Sequence, residues 1–260
     1  MNTKYPIILV HGIFKKELKF AKAFGKIESK LKEQGFVVFS ADTDGFGCIE
    51  NNAKQLKIFV EKVLKQTGAE KVNLICHSKG GLDSKYMITE LGMEDFVASM
   101  TTLSTPFGGS IVASKIWELP RFIKSFLGFW IDLFFRILGD KHPQSLKTCE
   151  ELKLREIDEE TLCFSNKIYC QSYSTKMERG KDDFTMFIPY LIHKKFQNID
   201  NDGLVSKDSS KFGIYKGNAL EGSVSHSQII DFKSKPKLFS AGRCTQDIKS
   251  STIIPRTIQQ

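Results

Sequence analysis

The chain has 260 residues, of which 41% are hydrophobic and 26% charged. That balance excludes wholesale disorder, and no apolar run reaches the roughly 18–20 residues of a membrane-spanning helix. Lysine and arginine exceed aspartate and glutamate by 38 − 30 = +8, but the lysines are spread along amphipathic stretches. No arginine-rich, aromatic-interleaved segment of the nucleic-acid-binding kind is present, so no nucleic-acid partner is expected.

Short apolar runs rich in β-branched residues alternate with longer helical patterns, which predicts an α/β fold with a mostly parallel sheet. Tyr5–Val10 reads as a buried strand. Glu17–Gln34 has helix-period apolar positions at Leu18, Ala21, Phe24, Ile27 and Leu31, and Gly35 ends it. Phe36–Ser40 is the second predicted strand, Asn52–Gln66 the next helix, and Val72–Cys76 the third strand. Lys79–Leu91 reads as a helix, Ala98–Leu103 as the fourth strand and Lys167–Ser172 as a fifth. Residues 110–150 interrupt this rhythm as a helical insertion, and residues 233–260 carry neither period and read as an irregular tail.

The six cysteines are scattered without a CxxC pair, so neither a zinc site nor a redox motif is expected and the thiols read as free. Cys163 and Cys170 are the one close pair. The opening MNTKYPIILVHG has an apolar run too short for a secretory signal, so the expectation is a protein kept inside the cell, or a mature extracellular form.

The segment VNLICHSKGGLDSKYMI runs a buried strand straight into a tight turn and a helix. A serine on such a turn projects its hydroxyl from the sheet at the positive end of the helix, which predicts Ser78 as a nucleophile. Small residues are needed two before and two after it; Gly80 meets the second need, and Cys76 stands at the first in place of the usual glycine. The alternative is an ordinary strand-to-helix loop with serine as helix cap. Upstream, YPIILVHGIF brings a loop to the same sheet edge. The backbone N–H groups of Ile13 and Lys79 are then the candidate oxyanion-hole donors. His11 precedes the serine, the wrong order for a catalytic base in this arrangement, and is read as organising its loop.

Together, YPIILVHG, CHSKGGLDSKYM, TTLSTPFGGS and NDGLVS resemble the bacterial triacylglycerol lipases of the α/β-hydrolase fold, closest in style to the Pseudomonas-type true lipases. The resemblance implies an α/β-hydrolase domain over 1–232, with helices on both faces of the sheet and a helical lid inserted at about 110–150. It implies a serine hydrolase that cleaves lipid esters. Asp202 matches the family's DGLV position, with Asp200 two residues away as the alternative, and His226 in GSVSHSQIIDF stands where the family carries its histidine. The other downstream histidines, His142 and His193, are expected to be solvated. The family often holds a structural calcium, with an aspartate two residues after the histidine; here that position is Gln228, and no metal or other cofactor is expected. Asp182 and Asp183 are a further carboxylate pair in an incomplete set.

Ile116–Leu138 is apolar at 15 of its 23 positions and holds both tryptophans. Read as one helix with a narrow polar stripe, it must be buried or face lipid. Trp117, Phe126, Phe129, Trp130 and Phe134 are expected to face the substrate from a lid that makes transient contact with a lipid–water interface. A core helix pair is the alternative. Other readings of the whole chain are a phospholipase or thioesterase with the same triad, or a non-catalytic lipid-binding homologue.

Overall fold

The computed structural model describes residues 4–13, 23–157 and 167–230. The 233–260 tail, the first part of the Glu17–Gln34 helix and Cys163 lie outside the described residues.

Six strands form one parallel sheet in the order β2-β1-β3-β4-β5-β6. They are β1 (Ile7–Val10), β2 (Val38–Ser40), β3 (Val72–His77), β4 (Val97–Leu103), β5 (Tyr169–Ser174) and β6 (Ile214–Asn218). The helices are α1 (Ile27–Glu33), α2 (Ile49–Thr67), α3 (Lys79–Glu90), α4 (Ile111–Trp117), α5 (Arg121–Ile137), α6 (Ser145–Glu151) and α7 (Phe187–Phe196).

Because successive strand residues point to opposite faces, each central strand feeds two cores. Ile8, Val10, Leu74 and Cys76 pack with Leu56, Val60 and Val63 of α2 and with Leu82 and Met87 of α3. Ile7, Leu9 and Ile75 pack on the other face with Phe24, Ile27 and Leu31, and there also lie Leu103, Tyr173, Val224 and Ile229. The segment around His226 is therefore laid on the sheet by its apolar neighbours, with every other residue free to turn a polar group elsewhere. Gly68 ends α2 in the left-handed conformation, φ 68°.

The predicted single helix over Ile116–Leu138 is two helices. Pro120 lacks the N–H that a helix interior requires, so α4 closes at Trp117 and α5 starts afresh at Arg121. Two elements had no clear period. β6 is an edge strand with alternating exposed and half-buried residues and a glycine, and α7 starts in a run of turns.

Candidate active site

β3 passes without a break into α3, and the joint is Ser78. Its backbone sits at φ 53°, ψ −133°, a costly region for a residue with a Cβ that persists only where the surroundings enforce it. The enforcement is visible in the neighbours. Ser78 N–H donates to Leu103 O at 3.0 Å, which ties the turn to β4. A Cβ on Gly80 would stand 2.3 Å from His11 O, and one on Gly12 would stand 2.5 Å from Ser78 Cβ, so both glycines are dictated by close approach of backbones. Cys76 is tolerated where a glycine is usual because its side chain enters the core beside α3, with Sγ 3.2 Å from Ser84 Oγ. Burial pushes the Cys76 thiol up to about 12.

Three side chains meet at this turn. His226 Nε2 lies 2.8 Å from Ser78 Oγ, and His226 Nδ1 lies 2.8 Å from Asp202 Oδ2. Asp202 Oδ1 accepts the N–H groups of Leu204 and Val205, so it is both the turn-forming aspartate of an Asp-Gly bend and the partner of the imidazole. Burial opposes its charge, yet the neighbouring His226 and these donors hold the Asp202 carboxyl below its ordinary value. Asp200 is exposed and does not reach the imidazole. With the proton on Nδ1 shared with Asp202, Nε2 is an acceptor aimed at the serine hydroxyl, the arrangement that lets an imidazole take and return that proton.

The site opens into a cavity of about 650 Å3. Ile13, Ser78 and His226 lie at its wall, with Trp117, Leu127 and Ile131 contributed by α4 and α5. Lys79 is the first residue of α3, where a helix leaves its leading N–H groups without intrahelical partners. Its side chain turns inward instead: Lys79 Nζ and Asp83 Oδ1 pair at 2.6 Å, both side chains 1% exposed. Burial pushes the Asp83 carboxyl up to about 6, against the pull of Lys79 and Asn52.

The expected lid residues divide. Trp117 lines the cavity, with the Lys124 ammonium 4.1 Å above its ring. Phe126, Phe129, Trp130 and Phe134 do not line it; they are 64%, 62%, 53% and 56% exposed on the outer face of α5. The inner face is the stripe Lys124, Leu127, Gly128 and Ile131, spaced i, i+3, i+4, i+7. Splitting the helix at Pro120 reset its rotation, and an apolar-all-round pattern cannot say which side faces in. The far end of this cap is fastened to the body, since Asp44 accepts the N–H groups of Lys141 and His142 and Phe46 N–H donates to Asp140 Oδ2.

The family model described as "Lipase (class 2)" matches residues 4–111. A triacylglycerol lipase of Pseudarthrobacter phenanthrenivorans is 40% identical over 124 residues, covering 45% of this chain and 38% of that protein. A Bacillus licheniformis lipase in its mature form superposes with a TM-score of 0.65 at 20% identity, covering 92% of this chain and 91% of that one. A metagenomic carboxyl esterase gives 0.71 at 16% identity, covering 99% and 76%. The chain has the α/β-hydrolase fold, and over residues 4–111 it is similar to the class 2 lipases. It spans well under half the length of the curated relative it matches, and the family match ends before Asp202 and His226.

Within this hydrolase fold, a calcium site beside the histidine loop does not fit the residues present. Gln228 replaces the aspartate, and its Oε1 accepts Ser225 N–H at 3.0 Å. Asp183 is already filled by protein donors: Thr185 N–H and Oγ–H on Oδ1, and the Ser225 and Ser227 hydroxyls on Oδ2. Among the described residues no cluster of three metal-ligating side chains occurs. His142 is exposed, as expected, but His193 is wholly buried. It faces inward from α7 while Lys194 and Lys195 point to solvent, and burial lowers its pKa. His77 went unremarked in the sequence; its Nε2–H donates to His226 O at 3.0 Å, tethering the histidine's own peptide.

Proposed function

We propose that this chain is a serine hydrolase of carboxylic esters, acting on lipid esters of the triacylglycerol type through an acyl-enzyme. The observation that carries the reading is the continuous Ser78–His226–Asp202 hydrogen-bond chain, at 2.8 Å in both links, opening onto an apolar cavity. His226 takes the Ser78 proton as Ser78 Oγ attacks the ester carbonyl. The backbone N–H groups of Ile13 and Lys79 hold the oxyanion, the alcohol leaves with the proton from His226, and water then hydrolyses the acyl-enzyme by the same route. No step calls on a metal. The apolar walls supplied by Trp117, Leu127 and Ile131 suit an acyl chain over a small polar group.

The α5 segment of the cap is proposed as a lid that shifts between the Leu119–Pro120 joint and its fastened end at residues 140–142. Its outward aromatic face makes the contact with a lipid–water interface, and its inward stripe binds the acyl chain. A fluorophosphonate probe is expected to label Ser78, and Ser78→Ala to lose ester hydrolysis by about 10³-fold or more without a change in thermal midpoint. Retained turnover in that variant would remove the reading. Among the described residues no helix is long and apolar enough to cross a membrane.

A further inference from the structure

The loop that delivers His226 reads Ser223-Val224-Ser225-His226-Ser227. Its apolar member, Val224, is buried against the sheet, while the serines turn to two consecutive carboxylates. Ser223 Oγ donates to Asp182 Oδ2 at 2.6 Å. Ser225 Oγ and Ser227 Oγ, one on each side of the histidine, donate to the same Asp183 oxygen at 2.7 and 2.9 Å. Thr185 fills the other Asp183 oxygen with its N–H at 2.9 Å and its hydroxyl at 2.7 Å. No cation among the described residues lies within ion-pair distance of Asp183, and its described partners are all hydroxyl and amide donors.

A buried carboxylate is expensive unless its lone pairs are used, and here the two donors on one of its oxygens bracket His226. We infer that Asp183 is a positioning residue that fixes the imidazole of His226 by gripping the loop on both sides through Ser225 and Ser227. The inference rests on the triad reading above. The backbone of residue 226 is held separately, by His226 N–H to Asp202 O at 2.8 Å and by His77 on its carbonyl. Those bonds locate the peptide; the grip of Asp183 prevents the loop from pivoting about it. A ring swung by about 1 Å would lose its hydrogen bond to Ser78, a displacement of the size that costs on the order of a hundredfold in rate. Although burial opposes ionisation, the Thr185, Ser225 and Ser227 donors hold the Asp183 carboxyl down at about 2, so it accepts these bonds throughout the range in which an imidazole changes charge.

Neither Asp183 nor Ser225 lines the cavity, which separates positioning from substrate binding. In Asp183→Asn and in the milder Ser225→Ala, kcat on a soluble ester is expected to fall about ten- to a hundredfold while KM stays within about twofold. The low-field proton resonance of His226 Nδ1–H, bonded to Asp202, is expected in the wild type and broadened or lost in both variants. Ser225→Ala keeps the test open if Asp183→Asn does not fold. Unchanged kcat in a folded variant, or an unchanged resonance, overturns the inference. If the wild type itself neither reacts with a fluorophosphonate nor hydrolyses esters, the hydrolase reading fails, and the resonance alone then decides whether Asp183 orders His226.

Discussion

Gly12→Ala tests the geometry of the elbow without replacing a reacting group. The new methyl carbon would lie 2.5 Å from Ser78 Cβ and 3.0 Å from Ser78 Oγ, against an ordinary carbon contact of about 3.5–4.0 Å. Something must yield by about 1 Å. Ser78 has little freedom to retreat, since its backbone is set at φ 53° and its N–H is bonded to Leu103 O. Below it, Gly80 already lies against the carbonyl of His11. The β1 loop is therefore the part that moves, and it takes the Ile13 N–H with it. Misplacement on this scale costs about 10²-fold, and loss of one oxyanion donor costs about 10²–10³-fold, so kcat is expected to fall a hundredfold or more. Overpacking strain of about 1–3 kcal/mol should lower the thermal midpoint by roughly 2–12 °C in a chain of this size. Ester turnover and the rate of fluorophosphonate capture, both read well below that midpoint, provide the assay. Activity within about threefold of wild type would refute the assignment of Gly12 as a contact of the nucleophile and weaken the proposed role of Ile13.

Four further outcomes can be checked. Asp83→Ala leaves the Lys79 ammonium buried without its partner and is expected to destabilise by about 3–5 kcal/mol, whereas Lys79→Met with Asp83→Leu should recover most of that in a urea titration. Leu127→Trp fills the cavity from α5 and should shift preference toward short acyl chains; an unchanged chain-length profile would place the acyl chain elsewhere. Replacing Phe126, Phe129 and Trp130 by serine should cut turnover of emulsified ester while leaving that of dissolved ester unchanged, and equal losses on both would argue against an outward interfacial face. For Asp183, the folded pKa lies below the unfolded value, so its contribution is present above about pH 4 and is lost as pH falls toward about 2. Allowing for screening at a loop, it amounts to roughly 1 kcal/mol, and Asp183→Asn should flatten the acid side of the stability curve over that window.

Most of the sheet was legible because buried parallel strands carry short continuous apolar runs, as in Ile7–Val10 and Leu74–Cys76. The nucleophile was legible for a different reason: a serine between a strand and a glycine-flanked helix start has few other uses. His226 and Asp202 are 24 residues apart in sequence, and nothing periodic joins them; matching to a family pattern singled them out, and folding brings them together at 2.8 Å. The orientation of α5 was not legible, since Phe126 and Leu127 are both apolar and only the neighbours decide which turns inward. His193 was misjudged from its two lysines, because adjacent residues on a helix face different directions. The alternating serines around His226 were written plainly in GSVSHSQ, but a period of two in hydroxyls carries meaning only once a carboxylate is found opposite.

Cys76 lies directly beneath the reactive turn, fully enclosed and with its thiol kept protonated. Alkylating reagents can meet it only when β3 and α3 come apart. Its modification in the native protein thus clocks the opening of the elbow itself, a kinetic readout that needs no engineered label and can be followed alongside the loss of turnover on heating.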